Sequence, residues 1–524
     1  IKDIIISCKS HILMDFGGIM NTKEIISRLE YKLLKGSLDQ AVTGICFDSR
    51  KVKPGDVFVC IRGASFDSHD ALIEIDSGNP ALIIVDESCN LDLSVVTSTV
   101  ISTSDTRHAK AVVSAAFYGY PAEKLKMVGV TGSKGKTTVT TMIMASLREA
   151  GYRAASIGSN GVNLGVEVLE VANTTPDSDQ MQKFLSIMVS KGIEYAVLEC
   201  SSQGLMQHRT DMINFDVGVF LNIQHGDHVG TDEHPTFENY AYCKSLLLQQ
   251  CNTGIINLDD ENIDFIVKNA TCNLITVGHD GVHEKTDKLG SRPDYVISEP
   301  HTKECNGFIG EEFKLSGRFN DTVFVNMPGE FVPLNGAATI ATIEALGIPA
   351  YAARKALSHI HINGRVDMIY RTEDLSVCID SAHTRESTRA VLEALRAYNP
   401  KRLVCVFGAG GNRDIERRIG MGESSGKYAD FSIITTEHNR FEPFETILEG
   451  VKSGLEPTGG KYMVIENRPE AIHYAITQSE PGDLVAIIGL GDDKYQHING
   501  VNVPQDDDKC ARKAIKEWEE NKTK

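Results

Sequence analysis

The sequence predicts an α/β protein built as three successive domains, and three observations carry that prediction. The chain has 524 residues, enough for about three domains of roughly 100–200 residues each. Short apolar runs alternate with helix-length periodic stretches along most of it, the pattern of parallel sheets covered by helices. A Gly-rich turn, Gly132-Ser133-Lys134-Gly135, stands between one such run and a long helical stretch. Hydrophobic residues at 41% and charged residues at 24% suit packed cores and exclude a fibrous or largely disordered chain. The formal charge of −18 repels polyanions, so neither nucleic-acid binding nor membrane insertion is expected. A small anionic substrate would need cations gathered locally in a cleft.

Each element follows from local pattern. Residues 1–19 read as a leader or a non-native extension, because IKDIIIS is too short to span a membrane and lacks a basic start and cleavage site. The first domain is placed at 20–121, with β-like runs at 56–61, 81–85 and 94–101 and a last helix at 106–118. The breaker cluster Gly119-Tyr120-Pro121 ends it. The central domain, 122–362, opens with a buried strand at 125–130, then the Gly-rich turn, then a helix over 136–150 stopped by Gly151. Apolar strands follow at 195–198 and 217–223, each running into a polar loop, and 271–328 reads as an irregular, β-rich insertion. The third domain, 363–524, begins at Gly364-Arg365 and carries strands at 377–379, 403–407, 431–435 and 484–488, a Rossmann-like parallel arrangement. The twelve cysteines are spaced singly, most in apolar runs, with no CxxC pair. Reduced, buried thiols in a cytoplasmic protein are therefore expected, without a structural zinc site.

The sharpest chemical signal is Val130-Thr131-Gly132-Ser133-Lys134-Gly135-Lys136-Thr137-Thr138 between strand and helix. Gly132 and Gly135 let backbone N–H groups turn toward a phosphate, and the helix N-terminus adds positive potential. Lys136 can reach the β/γ phosphates, and the Thr137 hydroxyl can ligate Mg²⁺. The strict pattern wants a glycine where Val130 stands, yet strand, loop and helix agree on a P-loop ATPase-type parallel sheet. Glu199 closes the 195–198 strand, and His228 follows the 217–223 strand. Parallel to the strand before the loop, they would share its carboxyl edge, where open α/β sheets bind ligands. Taken singly, Glu199 is equally a capping carboxylate and His228 a surface histidine. Together with the loop they make a plausible Mg²⁺ pair.

These motifs resemble the Mur ligases, ATP-dependent amide-forming enzymes of peptidoglycan precursor synthesis, and within them the tripeptide-synthetase branch. The resemblance runs from about Thr22 to Ile515. It rests on Asp48-Ser49-Arg50, Lys53-Pro54-Gly55-Asp56 and Arg62-Gly63, then the Gly-rich loop and Asn173-Thr174-Thr175-Pro176-Asp177. Glu199-Cys200-Ser201-Ser202-Gln203-Gly204-Leu205, with Gln207 and Arg209 beyond, completes it. It implies that Ser49, with Ala64 and Ser65, holds the uridine nucleotide. Asn173, Thr174, Thr175, Ser201, Gln207 and Arg209 would hold the muramoyl dipeptide, polar groups and one cation suited to carboxylates. Thr137, Glu199 and His228 would ligate Mg²⁺. Lys244 matches the lysine that captures CO₂ as a carbamate, although by pattern alone it is one more helix-surface lysine. Gly132 through Thr138, Asn335, Arg365 and Asp380 would contact ATP. Arg365 by itself is equally a surface arginine.

The third domain is implied to select the incoming amino acid. Members of this family that add diaminopimelate carry Asp-Asn-Pro-Arg; here the run is Glu437-His438-Asn439-Arg440, with Arg413 in Gly411-Asn412-Arg413-Asp414 also retained. The later Gly-x-Gly-His-Glu block reads Gly489-Leu490-Gly491-Asp492-Asp493. An arginine at the distal end favours a substrate with a carboxylate there, so meso-diaminopimelate is favoured over L-lysine or ornithine. Other departures are Asp380-Ser381-Ala382-His383-Thr384-Arg385 for Asp-Tyr-Ala-His-Thr-Pro, Asp227-His228-Val229-Gly230 for Asp-His-Leu-Asp, and Gln203 for a histidine. None removes Lys136, Glu199, His228, Lys244 or Arg365, so an active enzyme is expected, working as a monomer through an acyl phosphate with ATP and Mg²⁺. Two rivals stay open: a divergent Mur-like or folyl-polyglutamate-type ligase with another acceptor, and a paralogue that binds UDP-sugar peptides without turnover.

Overall fold

The computed structural model describes residues 20–63, 66–224, 229, 234–281, 283, 288–305 and 308–522. The expectations for residues 1–19, Ala64, Ser65 and His228 lie outside them. Two compact units are present. One takes residues up to Leu125 together with Pro176–Gly192 and Gly204–Ile213; the other takes Lys126–Thr175, Ile193–Gln203 and everything from Asn214.

The first unit is built on β1 (Lys32–Lys35), β2 (Gly44–Cys46), β3 (Asp56–Val59), β4 (Leu82–Asp86) and β5 (Val100–Thr103), in the order β1-β5-β4-β3-β2. β2 to β5 run parallel, as their near-continuous apolar runs require, and β1 is antiparallel. The helix Thr106–Phe117 buries Ala109, Val112, Val113 and Ala116 against Val57, Val59, Leu82 and Ile84. Its start is fixed by Asp105, whose carboxylate accepts from the N–H of Arg107 and His108.

In the second unit the central sheet comprises β6 (Lys126–Thr131), β7 (Ala154–Gly158), β8 (Gly161–Asn163), β9 (Val168–Leu169), β10 (Tyr195–Glu199), β11 (Phe215–Phe220), β12 (Cys251–Asn257), β13 (Asn273–His279), β14 (Tyr295–Cys305), β15 (Phe308–Gly317) and β16 (Asp321–Val325). Its order is β16-β15-β14-β13-β12-β11-β6-β10-β7-β8-β9. β6 lies between β10 and β11, parallel to both, so the segments after these three strands emerge at one edge. The stretch 271–328 is not an irregular insertion. β13 and β14 continue the parallel sheet from β12, and β15 and β16 extend it by antiparallel pairing, β15 on β14 and β16 on β15. Polar, exposed positions along Ser298–Glu304 hide an eleven-residue strand whose buried half begins at Tyr295. The helices Lys136–Glu149, Val332–Ala345 and Ala350–Leu357 cover one face, packing Ile143, Leu147, Ile340 and Ala353 into one core with Val128, Val130 and Val219.

The third sheet has β17 (Asp367–Arg371), β18 (Leu375–Asp380), β19 (Arg402–Phe407), β20 (Phe431–Ile434), β21 (Tyr462–Val464) and β22 (Asp483–Ile488), in the order β17-β18-β22-β19-β20-β21. All but β17 are parallel. A hairpin of β23 (Tyr495–Ile498) and β24 (Val501–Pro504) follows β22. The α/β class is as expected, with strand ends shifted by one to three residues, except that 94–101 contributes only β5 from Val100. Among the described residues no helix is long and apolar enough to cross a membrane.

Candidate active site

The Gly-rich loop joins β6 to the helix Lys136–Glu149. Gly135 is the N-cap of that helix, with φ +86°, a conformation that favours glycine, and makes no side-chain cap bond. A Cβ there would stand 3.2 Å from Asn335 Oδ1, so the loop passes close to the buried first turn of Val332–Ala345. The first helical N–H groups are thus left for an anion. Asn222, just beyond β11, braces the loop: its side-chain oxygen accepts from Lys134 N at 2.9 Å, its amide donates to Lys134 O at 3.1 Å, and its carbonyl accepts from Ser133 N at 2.9 Å. No motif marks Asn222 in the sequence.

Two lysines converge on one carbonyl. Lys136 Nζ and Lys244 Nζ each donate to Gly132 O at 2.9 Å. Lys244 lies on the helix Phe237–Ser245, is 2% exposed, and sits 4.6 Å from the ring centre of Tyr240. The helix-surface alternative for Lys244 is therefore wrong. Burial, reinforced by the Lys136 charge, pushes its pKa well below that of an ordinary lysine. Burial also lowers Lys136, opposed by Glu199 and aided by the charges of Lys134 and Arg365.

Glu199 ends β10 and is 2% exposed. Its Oε2 accepts from Thr137 Oγ1 at 3.0 Å, and its Oε1 from Ser159 N at 3.0 Å. Burial raises its pKa, while Lys136, the Ser159 and Thr137 hydrogen bonds, and Arg365 favour its charged form. The buried Glu199 carboxylate and the Thr137 hydroxyl beside it supply oxygen donors suited to Mg²⁺, and Glu199 is no solvated cap. Thr175 Oγ1 donates to Glu199 O at 2.8 Å and accepts from Ser201 N at 2.9 Å, and Thr174 Oγ1 meets Ser159 Oγ at 3.0 Å. Thr175 and Ser201 thus cluster at the Glu199 backbone carbonyl, and Thr174 reaches the Glu199 carboxylate through Ser159, while Asn173 is exposed. Thr138 is buried in the first helical turn.

In the first unit, Ser49 begins a short turn, Ser49–Lys51, capped by Asp48. Arg209 holds Gln207 Oε1 at 2.7 Å and Asp177 at 2.9 Å. Between Gln207 and Arg209, His208 adopts φ +58° and pairs with Asp105 at 3.1 Å and Asp211 at 2.8 Å; His108 reaches the same Asp211 oxygen at 2.6 Å. His108, His208 and Asp211 are spaced such that they could hold a metal, though each ring is already paired with a carboxylate. Residues about a hundred positions apart gave no spacing signal for this cluster.

On the third sheet, Asp380 ends β18 and accepts from the N–H of Val366 and Ala382, each at 2.7 Å. Burial raises its pKa, opposed by the Arg365 charge and by these two hydrogen bonds. The carboxyl edge also carries the loops after β20 and β22. Glu437 is 6% exposed and its Oε2 has no hydrogen-bond partner among the described residues; burial raises its pKa. A Cβ on Gly489 would meet that oxygen at 3.1 Å. Arg440, at φ +53°, donates to Gly411 O at 2.9 Å and feels the charges of Arg413, Glu437 and Arg417. Asn439 Oδ1 is buried with no hydrogen-bond partner among the described residues, and Arg413 is exposed. His438 meets Asp493 at 3.1 Å, so the shortened carboxylate faces an imidazole. Arg440 already has a carbonyl partner, and with Arg413 and Arg417 it makes a cationic patch near one buried acid, Glu437.

The Mur ligase middle domain model matches residues 130–343, and the Mur ligase, glutamate ligase domain model matches residues 364–491. The UDP-N-acetylmuramoyl-L-alanyl-D-glutamate–2,6-diaminopimelate ligase of Caldanaerobacter subterraneus subsp. tengcongensis is 34% identical over 489 residues, 93% of this chain and 97% of that protein. Its counterpart in Listeria monocytogenes is 35% identical over 90% of this chain and 94% of its own. A solved structure of a ligase with the same name matches with a TM-score of 0.66 at 25% identity, over 96% of this chain and 100% of that one. The MurF ligase of Thermotoga maritima in complex with ADP shares the fold at a TM-score of 0.55 and 20% identity, over 91% and 98% of the two chains. This chain belongs to the Mur ligases, a family of ATP-dependent amide-bond-forming enzymes.

Proposed function

We propose that this protein adds meso-diaminopimelate to UDP-N-acetylmuramoyl-L-alanyl-D-glutamate in peptidoglycan precursor synthesis. The observation that carries the reading is the end-to-end likeness, 34% identity over 93% of the chain, to ligases named for that reaction. ATP transfers its γ-phosphoryl group to the γ-carboxylate of the D-glutamyl residue, leaving ADP and an acyl phosphate. The incoming α-amine attacks the acyl carbon, loses a proton, and expels phosphate. The cations Lys136 and Arg365 offset charge on the phosphates in a chain of net charge −18. Thr137 and Glu199, with His228, would hold Mg²⁺. When bound, the metal neutralises phosphate charge and orients the transferring group.

Lys244 carries a CO₂-derived carbamate in this reading. Only a neutral amine adds to CO₂, and it releases a proton on doing so; burial and Lys136 favour that neutral amine. The resulting anion would face Lys136 in place of a second cation. Gly132 to Thr138, Asn335, Arg365 and Asp380 are assigned to ATP. Ser49, Ala64 and Ser65 are assigned to uridine, and Asn173, Thr174, Thr175, Ser201, Gln207 and Arg209 to the muramoyl dipeptide. Arg413, Glu437, His438, Asn439, Arg440, Gly489 and Asp493 receive the diamino acid, with the cationic patch suited to its distal carboxylate. Domain limits at 20–121, 122–362 and 363–524, a monomeric state and a cytoplasmic location belong to the same proposal.

Lys136→Ala tests it: turnover should be lost while the UDP-linked dipeptide still binds. Unchanged turnover would refute the phosphate role. A carbamate signal in ¹³C NMR after equilibration with ¹³C-bicarbonate, absent in Lys244→Ala, tests the carbamate separately.

A further inference from the structure

Behind the carboxyl edge of the third sheet lies a guanidinium with no solvent exposure. The side chains of Arg468 and Asp507 are each 0% exposed and form a forked pair, with Nη2 to Oδ2 at 2.6 Å and Nε to Oδ1 at 3.0 Å. Gln505 holds the same carboxylate at 2.9 Å. A buried pair of this kind is weak evidence for stability, because removing two charges from water is offset only by good geometry. Its further hydrogen bonds show what it organises. Nη2 also donates to Ile488 O at 3.0 Å, and Nη1 to Thr436 O at 3.2 Å.

Ile488 is the last residue of β22, and Thr436 lies two residues beyond β20. These strands are not neighbours, since β19 runs between them. One guanidinium therefore ties together the two strand ends from which Glu437–Arg440 and Gly489–Asp493 depart. Gln496 on β23 donates to Thr436 Oγ1 and Glu437 O, each at 3.0 Å, and the His497 N–H of the same hairpin donates to His438 Nδ1 at 2.9 Å. Arg468 also lends its charge to the buried Glu437. Lysine could not reproduce this arrangement, since a single ammonium lacks the planar fork that serves a carboxylate and two divergent carbonyls at once.

We infer that Arg468, locked by Asp507, is a positioning residue that sets the spacing of the two loops receiving the incoming amino acid. The inference rests on the assignment of those loops made above. It is tested in the full-length enzyme with Arg468→Lys, and with the double variant Arg468→Met/Asp507→Leu, which leaves no unpaired buried charge. The expected result is a rise of at least tenfold in KM for the diamino acid, with KM for ATP and for the UDP-linked dipeptide within twofold of the parent. KM values unchanged from the parent for all three substrates in a folded variant would overturn the inference, as would a uniform rise in all three. Hydrogen exchange gives an independent reading: amides at 436–440 and 488–493 should exchange faster in the variants, while those at 131–138 do not. If the parent enzyme proves inactive with diamino acids, the assignment of the loops fails, and unchanged exchange at them would separately overturn the positioning role.

Discussion

Replacing Gly158 with alanine places a methyl group where the Glu199 side chain lies. Gly158 ends β7 and has no positive φ, so alanine meets no backbone penalty. A Cβ there would stand 2.5 Å from Glu199 Cδ and 2.7 Å from Cγ, and nearer still to Oε1. Carbon atoms settle at about 3.5–4.0 Å, so the carboxyl group must retreat by roughly 1 Å, away from Thr137 and Ser159. Misplacement of a catalytic group by about 1 Å costs on the order of 100-fold in rate, or about 2.7 kcal/mol at ~1.36 kcal/mol per tenfold. Phosphate release at saturating substrates should therefore show kcat reduced about 100-fold, with more Mg²⁺ needed for half-maximal rate. Each lost hydrogen bond is worth only about 1 kcal/mol, so the variant should remain folded by circular dichroism. A folded Gly158→Ala enzyme with kcat within threefold of the parent would refute the placement of Glu199 at the reacting phosphates.

Two further outcomes follow from charge and burial. Asp105, then Asp211, raises the His208 pKa to about 10 from its ordinary 6.5; the folded state prefers the imidazolium, so its contribution to stability is complete below about pH 6.5 and disappears as pH rises through about 10. The Tm deficit of His208→Gln should thus be largest near pH 6 and close toward pH 10, and a pH-independent deficit would contradict the pairing. Burial pushes the thiols of Cys60, Cys200 and Cys405 up to about 12. Iodoacetamide at about pH 8 should leave these three unlabelled in the folded protein and label them in urea, because the thiolate is the reactive form.

Local pattern made the phosphate loop legible, since β6, the glycines and the following helix are contiguous in sequence. Glu199 was legible for a related reason: it ends a short apolar run, and a parallel strand delivers its last residue to the ligand edge, whereas Asp380 was singled out only by the family resemblance. β14 to β16 were not, because antiparallel edge strands carry exposed polar residues that read as loop. The braces around the site were hidden for a different reason. Asn222, Ser159 and Gly158 act through partners 40 to 88 residues away, and no short motif encodes a partner at that distance; the same holds within the first unit for the His108–His208–Asp211 cluster. Arg468 opens an ordinary helix in Asn467-Arg468-Pro469-Glu470, and only its complete burial against Asp507 distinguishes it from a surface arginine.

The central claim is tested most directly by phosphate release from ATP with UDP-N-acetylmuramoyl-L-alanyl-D-glutamate, Mg²⁺ and bicarbonate. meso-Diaminopimelate, L-lysine and L-ornithine would be supplied in parallel and the products weighed by mass spectrometry. The account predicts release with meso-diaminopimelate and a product heavier by one diaminopimelyl residue. Release with L-lysine alone would contradict the reading of the Arg440 patch, and silence with all three would contradict the ligase itself.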